Sequence, residues 1–549
     1  MSLTWKVFSL LSAVALLLSL GPTSTLYGQT SLAGGAVAGS VTDQSGAAVP
    51  NAEVVLTDQS TKIALTTKSN AAGLYAFREV SPGRYSLRVS TTGFRSVVIG
   101  DVEVVVGQTA TLNAKLEVGA VSETVVVTAT PGAELQTLDA TMGATIGGKD
   151  ISNLPTLARD VSALIFTQAT SAPTFHGAEG NVTSGQIAGA FSDQNTIQLD
   201  GGNNNSNLDG DNGTYVGLRG GAVPMPVESV EEFRVNTNNM TAEFGASGGG
   251  QVIVSTKRGT DAFHGSAYDF FQSNVLNSND WSNNNIGVAK PKQHYNRFGG
   301  AIGGPALPKM LGGKTYFYMN YEGERYPRSG PFEKAVPSDL LRQGIIQIRD
   351  GAGNIVQYNM KTSMQCGASG GSACDPRGLG LNPIVSKIWN TYEPEPNDFK
   401  YSGSDKLNTF GYFANLSYPL TTDFGVVRVD HDFGDKWRWF SSYRLFNQNN
   451  PDTSQVDIGG VLPGDTKGQP ASASSTPYEP RYIVTGLTGT LTPSLTNDFH
   501  FNYTRDFWQW DRVGAIPYVP GIPAGVAIGG DSGALTPLNI GTQAARPRL

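Results

Sequence analysis

The sequence predicts a mainly β protein of the exported kind, and three observations carry this. Beyond the first twenty residues there is no long Leu/Ala/Glu/Lys run of the sort that builds helices. Glycine is abundant, at 67 of 549 residues, and charged residues make up only 15%, well below the usual quarter. Short apolar-polar alternations recur between Gly, Pro, Asn and Asp turns, which is how strands and their connections read. The net charge of −7 comes with no basic stripe, so nucleic acid is excluded as a partner, because phosphate binding needs clustered Lys and Arg.

The chain opens with Lys6 and an almost wholly apolar stretch over residues 7–20, broken by Gly21-Pro22. About 14 apolar residues fall short of the roughly 20 that span a bilayer. Residues 1–28 therefore read as a secretory signal peptide, with cleavage near Gly28. With no later apolar helix, membrane residence requires a closed β-barrel. The two cysteines, Cys366 and Cys374, lie in a Gly/Ser-rich stretch. In an exported chain this favours a loop-closing disulfide. The rival, a metal pair, has no nearby His or second Cys pair.

Residues 33–118 read as a small β-sandwich. Asp43-Gln44-Ser45-Gly46, Asn70-Ala71-Ala72-Gly73 and Ser81-Pro82-Gly83 are turns. Between them Tyr75 with Phe77, and Tyr85 with Leu87 and Val89, share single faces. The pattern Gly39, Asp43, Gly46, Pro50, Ala52, Gly73, Tyr75, Phe77, Pro82, Gly83, Tyr85 and Gly93 resembles the carboxypeptidase-regulatory-like domain, a transthyretin-type sandwich. The resemblance implies an accessory domain without catalytic residues.

Next, residues 122–129 combine an acidic residue with a β-branched run: Glu123, Thr124, Val125, Val126, Val127, Thr128 and Ala129, stopped by Pro131-Gly132. This resembles the TonB box of TonB-dependent outer-membrane receptors. The resemblance implies that these residues pair edge-on with a strand of the periplasmic C-terminal domain of TonB, a form of strand addition. The other reading is a last strand of the preceding sandwich.

Residues 130–260 resemble the plug of the same family, a small α+β domain. Three segments carry this: Ile197-Gln198-Leu199-Asp200-Gly201, the acidic turn into a strand at Val227 to Val235, and Glu243-Phe244-Gly245 through a glycine cluster to Thr256-Lys257. Glycines permit close backbone approach. Where most members have Arg-Gly-Pro, this chain has Arg234-Val235-Asn236-Thr237, which fits the Oar-like subgroup with its N-terminal sandwich.

Residues 261–549 read as the N-terminal part of a transmembrane barrel. Phe317, Met319 and Tyr321 alternate with Tyr316, Tyr318, Asn320 and Glu322. Val427 and Val429 alternate with Arg428 and Asp430, and Phe499, Phe501 and Tyr503 with His500, Asn502 and Thr504. One lipid side and one lumen side is the barrel pattern. The family's plugged barrels have about 22 strands. Only roughly eight to ten fit here at about 10 residues per strand, so the expectation is a truncated or split product that does not close alone.

Other chemistry reads weakly. His176 and Glu179 have the His-x-x-Glu spacing of zinc carboxypeptidases, with His294 downstream, but no helical scaffold supports them. The loop from Asp200 to Gly213 is dense in oxygen ligands that suit Ca²⁺, yet an EF-hand starting at Asp209 would put Thr214 sixth and Gly220 twelfth. Its plainer reading is a solvated plug loop in which Asn203, Asn204, Asn205, Asp209 and Asp211 meet substrate. No Ser/His/Asp arrangement or phosphate loop occurs. The expected function is TonB-dependent, energy-coupled transport of an extracellular glycan, siderophore or peptide. No enzyme activity, cofactor or metal is expected. The expected place is the outer membrane, among its lipid, with the sandwich in the periplasm. The alternatives are a structural or adhesive surface protein and, remotely, a zinc carboxypeptidase.

Overall fold

The structure, a computed structural model, describes residues 34–119, 124–128, 141–154, 159–165, 167–176, 181–206, 222–240, 248–287, 289–291, 293–306, 314–364, 371–434, 436–460, 464–492, 495–507, 509, 511–512, 528–529 and 539–540. The signal-peptide residues, Cys366, Glu123 and Ala129 lie outside these. The protein is mainly β, in three units.

The first unit holds β1 (Gly35–Thr42), β2 (Glu53–Asp58), β3 (Ala64–Lys68), β4 (Leu74–Val80), β5 (Gly83–Ser90), β6 (Ser96–Val104), β7 (Thr109–Thr111), β8 (Ala114–Lys115) and β9 (Thr124–Thr128). One sheet runs β4-β1-β7, with β8 also on β1; the other runs β3-β2-β5-β6-β9. The turns form where Asp and Gly dictate. Asp43 Oδ1 accepts from the Ser45 and Ala47 amides at 2.8 and 2.9 Å, and Gly46 takes φ +88°, a region open to glycine. Between the sheets lie Val54, Leu56, Tyr75, Phe77, Tyr85, Leu87 and Val89. Gly39 is required by contact: a Cβ there would stand 1.8 Å from the Leu112 carbonyl oxygen. Leu87 is completely buried. Leu87→Ala is expected to cost about 2–5 kcal/mol, read as a lower urea midpoint for the purified chain. A shift corresponding to less than 1 kcal/mol would contradict this packing.

One strand bears on the segment read as a TonB box. β9 lies parallel to β6, with Ser96 opposite Thr124 and Gly100 opposite Thr128. Residues 124–128 thus lie at the edge of the sandwich sheet.

The second unit is an inner sheet. It contains β10 (Met142–Gly147), β13 (Thr196–Leu199), β14 (Gly202–Asn203), β15 (Val230–Asn238) and β16 (Gln251–Thr256) in the order β10-β15-β16-β13-β14. A separate hairpin pairs β11 (Ser171–His176) with β12 (Asn181–Ile187). All six residues of β16 are buried, which suits a near-continuous apolar strand covered on both faces.

The third unit is a long antiparallel meander: β17 (His264–Ser273), β18 (His294–Pro305), β19 (Lys314–Tyr326), β24 (Leu420–Phe433), β25 (Trp437–Pro451), β29 (Arg481–Thr492) and β30 (Leu495–Arg505). With β28 (Ser474–Tyr478) and β31 (Asp511–Arg512) it makes a nine-stranded sheet. Among the described residues β17 and β30 are not paired to each other. Between β19 and β24 the chain makes β20 (Ser329–Pro337), β21 (Ile345–Arg349), β22 (Ile355–Asn359), the helix Pro383–Thr391 and β23 (Thr409–Ser417). After β25, β26 (Val456–Asp457) and β27 (Ala471–Ser472) join β20 and β23 in a sheet of their own. Cys374, in this insertion, is disulfide-bonded.

The alternation resolves into two faces. Tyr316, Tyr318, Asn320 and Glu322 are buried, the two tyrosines against the inner units, while Met319 and Tyr321 are exposed. Phe499, Phe501 and Tyr503 are each more than half exposed on the same outer side. So broad an apolar surface needs a cover, and a lipid bilayer provides one for strands of this length. No helix among the described residues is long and apolar enough to cross a membrane.

Candidate functional site: the inner sheet against the wall

The two units meet through side chains that the strand period turns inward. Asp200 follows β13 with φ +51°. Its Oδ1 accepts from the Thr256 amide at 2.8 Å, and its Oδ2 from the Thr256 hydroxyl. Arg428, from β24, reaches the same carboxylate at 3.2 Å and Asp430 at 2.8 Å, donates to the Thr256 carbonyl at 3.1 Å and lies 4.9 Å from the Phe440 ring centre. Arg444, from β25, donates to the Thr256 hydroxyl. These cations are buried, a location tolerated only with partners. Around them three wall tyrosines hold inner-unit carbonyls. Tyr318 donates to Glu228, while Tyr478 donates to Ala222 and Tyr482 to Leu199, each at 2.6 Å.

The sandwich closes on the same region. Arg258, just after β16, pairs with Asp58 at 2.5 Å. Burial opposes ionisation of Asp58, but Arg258 and the Ser60 hydrogen bonds outweigh it and hold the carboxyl below its usual range. Tyr316 donates to the Thr61 carbonyl at 3.2 Å, and Arg438 to that of Arg78 at 3.0 Å. The Val106 amide donates to Glu232 of β15. Burial pushes the Glu232 carboxyl up to about 8. The arrangement holds a small sheet against a wall by these polar contacts and by apolar packing of Tyr482, Val484 and Phe440 on the inner unit.

The predicted site residues scatter. Asn204 is fully buried, and its carboxamide is spent on the Val223 amide and carbonyl at 3.0 and 3.1 Å. That corrects its expected role in meeting substrate: a buried amide with both ends used has none to offer. Asn205 is likewise spent on Ile197 and Asn195 at 2.7 Å each. Asn203 is exposed; Asp209 and Asp211 lie outside the described residues. Asp200 is committed to Thr256 and Arg428, which removes it as a Ca²⁺ ligand. His176 ends β11 and Glu179 lies outside the described residues, while His294 stacks on Phe271 at 6.2 Å in a different sheet. Sequence reasoning missed Arg444, Arg258 and Glu232. For Arg444 the available signal was an arginine at a lumen-facing position of a barrel strand, where an unpaired charge is costly.

Residues 255–545 match the outer membrane beta barrel domain. The chain belongs to that family. An outer-membrane beta-barrel protein is placed in the outer membrane, in accord with the apolar outer face of the meander. Residues 36–117 match the carboxypeptidase regulatory-like domain. Among curated relatives, the TonB-dependent transporter Oar of Myxococcus xanthus is 26% identical over 300 residues, covering 52% of this chain and 27% of that protein. The chain therefore spans about a quarter of that relative's length. Similar solved structures include the outer membrane transporter YddB from Escherichia coli (11% identity, TM-score 0.37, 64% of this chain and 37% of that one). The siderophore receptor PirA from Acinetobacter baumannii is another (15% identity, TM-score 0.33, 66% and 43%).

Proposed function

We propose that this family member serves TonB-dependent, energy-coupled passage of an extracellular ligand across the outer membrane, the inner sheet acting as a plug. The observation that carries the reading is the join between Asp200 and Thr256 on one side and Arg428 and Arg444 on the other. An occluding sheet fastened by polar contacts, rather than by continuous strand pairing, is one that force can detach. The outer membrane has no ATP supply, so the work arrives mechanically. In this reading the sandwich is periplasmic and residues 123–129 are what TonB grips, by adding a strand. Asn203, with Asp209 and Asp211, meets a glycan, siderophore or peptide in this reading.

A second reading, a structural or adhesive surface protein without transport, draws on the pairing of β9 with β6, which gives residues 124–128 a purely structural use. Cysteines placed singly at positions 124–128, in the complete gene, separate the two. Against a cysteine series in the TonB C-terminal strand, transport requires crosslinks alternating along the segment. Surface display without crosslink at any position favours adhesion.

A further inference from the structure

We infer that Glu79, Asp498 and His500 form a divalent transition-metal site, of the kind that holds zinc, which clips the sandwich to the barrel wall. One ligand atom from each of the three lies within 4.8 Å of the others. Asp498 and His500 stand two apart on β30, so the strand period puts both on one face. Glu79 comes from β4 of the sandwich.

Each side chain is placed for this. Between the pairs Gly35–Val80 and Val37–Phe77 the register slips, so Arg78 and Glu79 together oppose Ala36. Such a bulge re-aims a side chain. The same bulge is tied to the wall by Arg438, which donates to the Arg78 carbonyl at 3.0 Å. Across the wall, His500 pairs with Gly486 and Asp498 with Thr488. A Cβ at position 486 would stand 2.5 and 2.6 Å from the His500 Cδ2 and Nε2 atoms. The ring therefore occupies room that only glycine leaves, and packs edge-on to Phe440 at 5.7 Å. The Thr488 hydroxyl donates to Asp498 Oδ1 at 2.9 Å, the kind of outer contact that orients a carboxylate ligand.

The His500 ring nitrogen Nε2 carries the inference furthest. It is buried and makes no hydrogen bond among the described residues. The Asp498 Oδ1 atom stands 3.7 Å away, too far for a hydrogen bond. It is close to the separation of about 3.3 Å between two ligands on a tetrahedral ion with bonds of 2.0–2.1 Å. One imidazole nitrogen and two carboxylate oxygens favour zinc over calcium, which takes oxygen ligands alone. Water completes the shell. Because the ligands come from two units, binding the ion strengthens the docking that Arg258–Asp58, Tyr316–Thr61 and Arg438–Arg78 already make. This holds whether or not the protein transports anything.

The test uses the untagged full chain in detergent micelles, stripped with a chelator and titrated with ZnCl₂. The expected result is one zinc per chain, with affinity reduced at least tenfold in His500→Gln and in Glu79→Gln. Zinc is also expected to slow hydrogen exchange across residues 74–80 in the native chain but not in Glu79→Gln. Native-like zinc binding in His500→Gln overturns the site. Binding lost in His500→Gln but intact in Glu79→Gln, with exchange unaffected by zinc, overturns the clip.

Discussion

Replacing Arg428 by Met is expected to destabilise the join between inner sheet and wall by about 3–5 kcal/mol, the usual consequence of removing one partner of a buried ion pair. Arg428 is enclosed by Asp200, Asp430, the Thr256 carbonyl and the Phe440 ring. Its loss leaves the Asp200 carboxylate in a low-dielectric site with the Thr256 donors and the Arg444 charge beyond them. Asp200→Asn should cost less, since the amide oxygen still accepts from the Thr256 backbone. The decisive measurement is the double-mutant cycle, by urea titration in micelles with tryptophan fluorescence as the readout. Trp437 and Trp439, on the adjoining strand, report the wall. If the two residues act as one unit, the double variant is less destabilised than the sum of the singles by more than 1 kcal/mol, the range seen for coupled charges. Strict additivity would mean that Arg428 stabilises through Asp430, the Thr256 carbonyl or Phe440 and not through Asp200.

What the sequence made legible follows from period. On β19 the alternation of Tyr316, Tyr318 and Asn320 with Met319 and Tyr321 is a local property, and the structure keeps it. The same holds for Tyr75 with Phe77, and for Phe499, Phe501 and Tyr503. What was hidden needed a partner distant in sequence. Three consecutive valines at 125–127 suit a free tether and a sheet edge equally, and their pairing with β6 depends on a strand that local pattern does not name. Asn204 sits in a loop whose composition suggests solvent, yet its carboxamide replaces a backbone partner for Val223, and no spacing rule foretells that. Arg428 was legible as lumen-facing; that it meets Asp200 depends on how an entire sheet sits against the wall. Glu79 and His500 belong to different units, so their approach leaves no trace in local pattern.

The remaining large effect is in pH. Glu232 lies buried at the join between sandwich and inner sheet, accepting from the Val106 amide. Burial raises its carboxyl from 4.5 to about 8, Glu231 and Glu103 push the same way, and Val106 and Arg234 oppose them. With the folded value above the unfolded one, the native chain keeps a proton that the unfolded chain has lost. The contribution is fully present below about 4.5 and declines as pH rises, by about 1.4 kcal/mol per pH unit, until it flattens above about 8. Urea midpoints between pH 4.5 and 8.5 should therefore fall for the native chain. Glu232→Gln, which keeps an acceptor for Val106 but does not ionise, should remove that component of the slope and be the more stable protein at pH 8. Parallel curves for the two would mean that water reaches Glu232 and the carboxylate is solvated. A native midpoint that rose with pH, while that of Glu232→Gln stayed level, would mean that the Val106 amide and Arg234 outweigh burial and that the join is tightest with Glu232 charged.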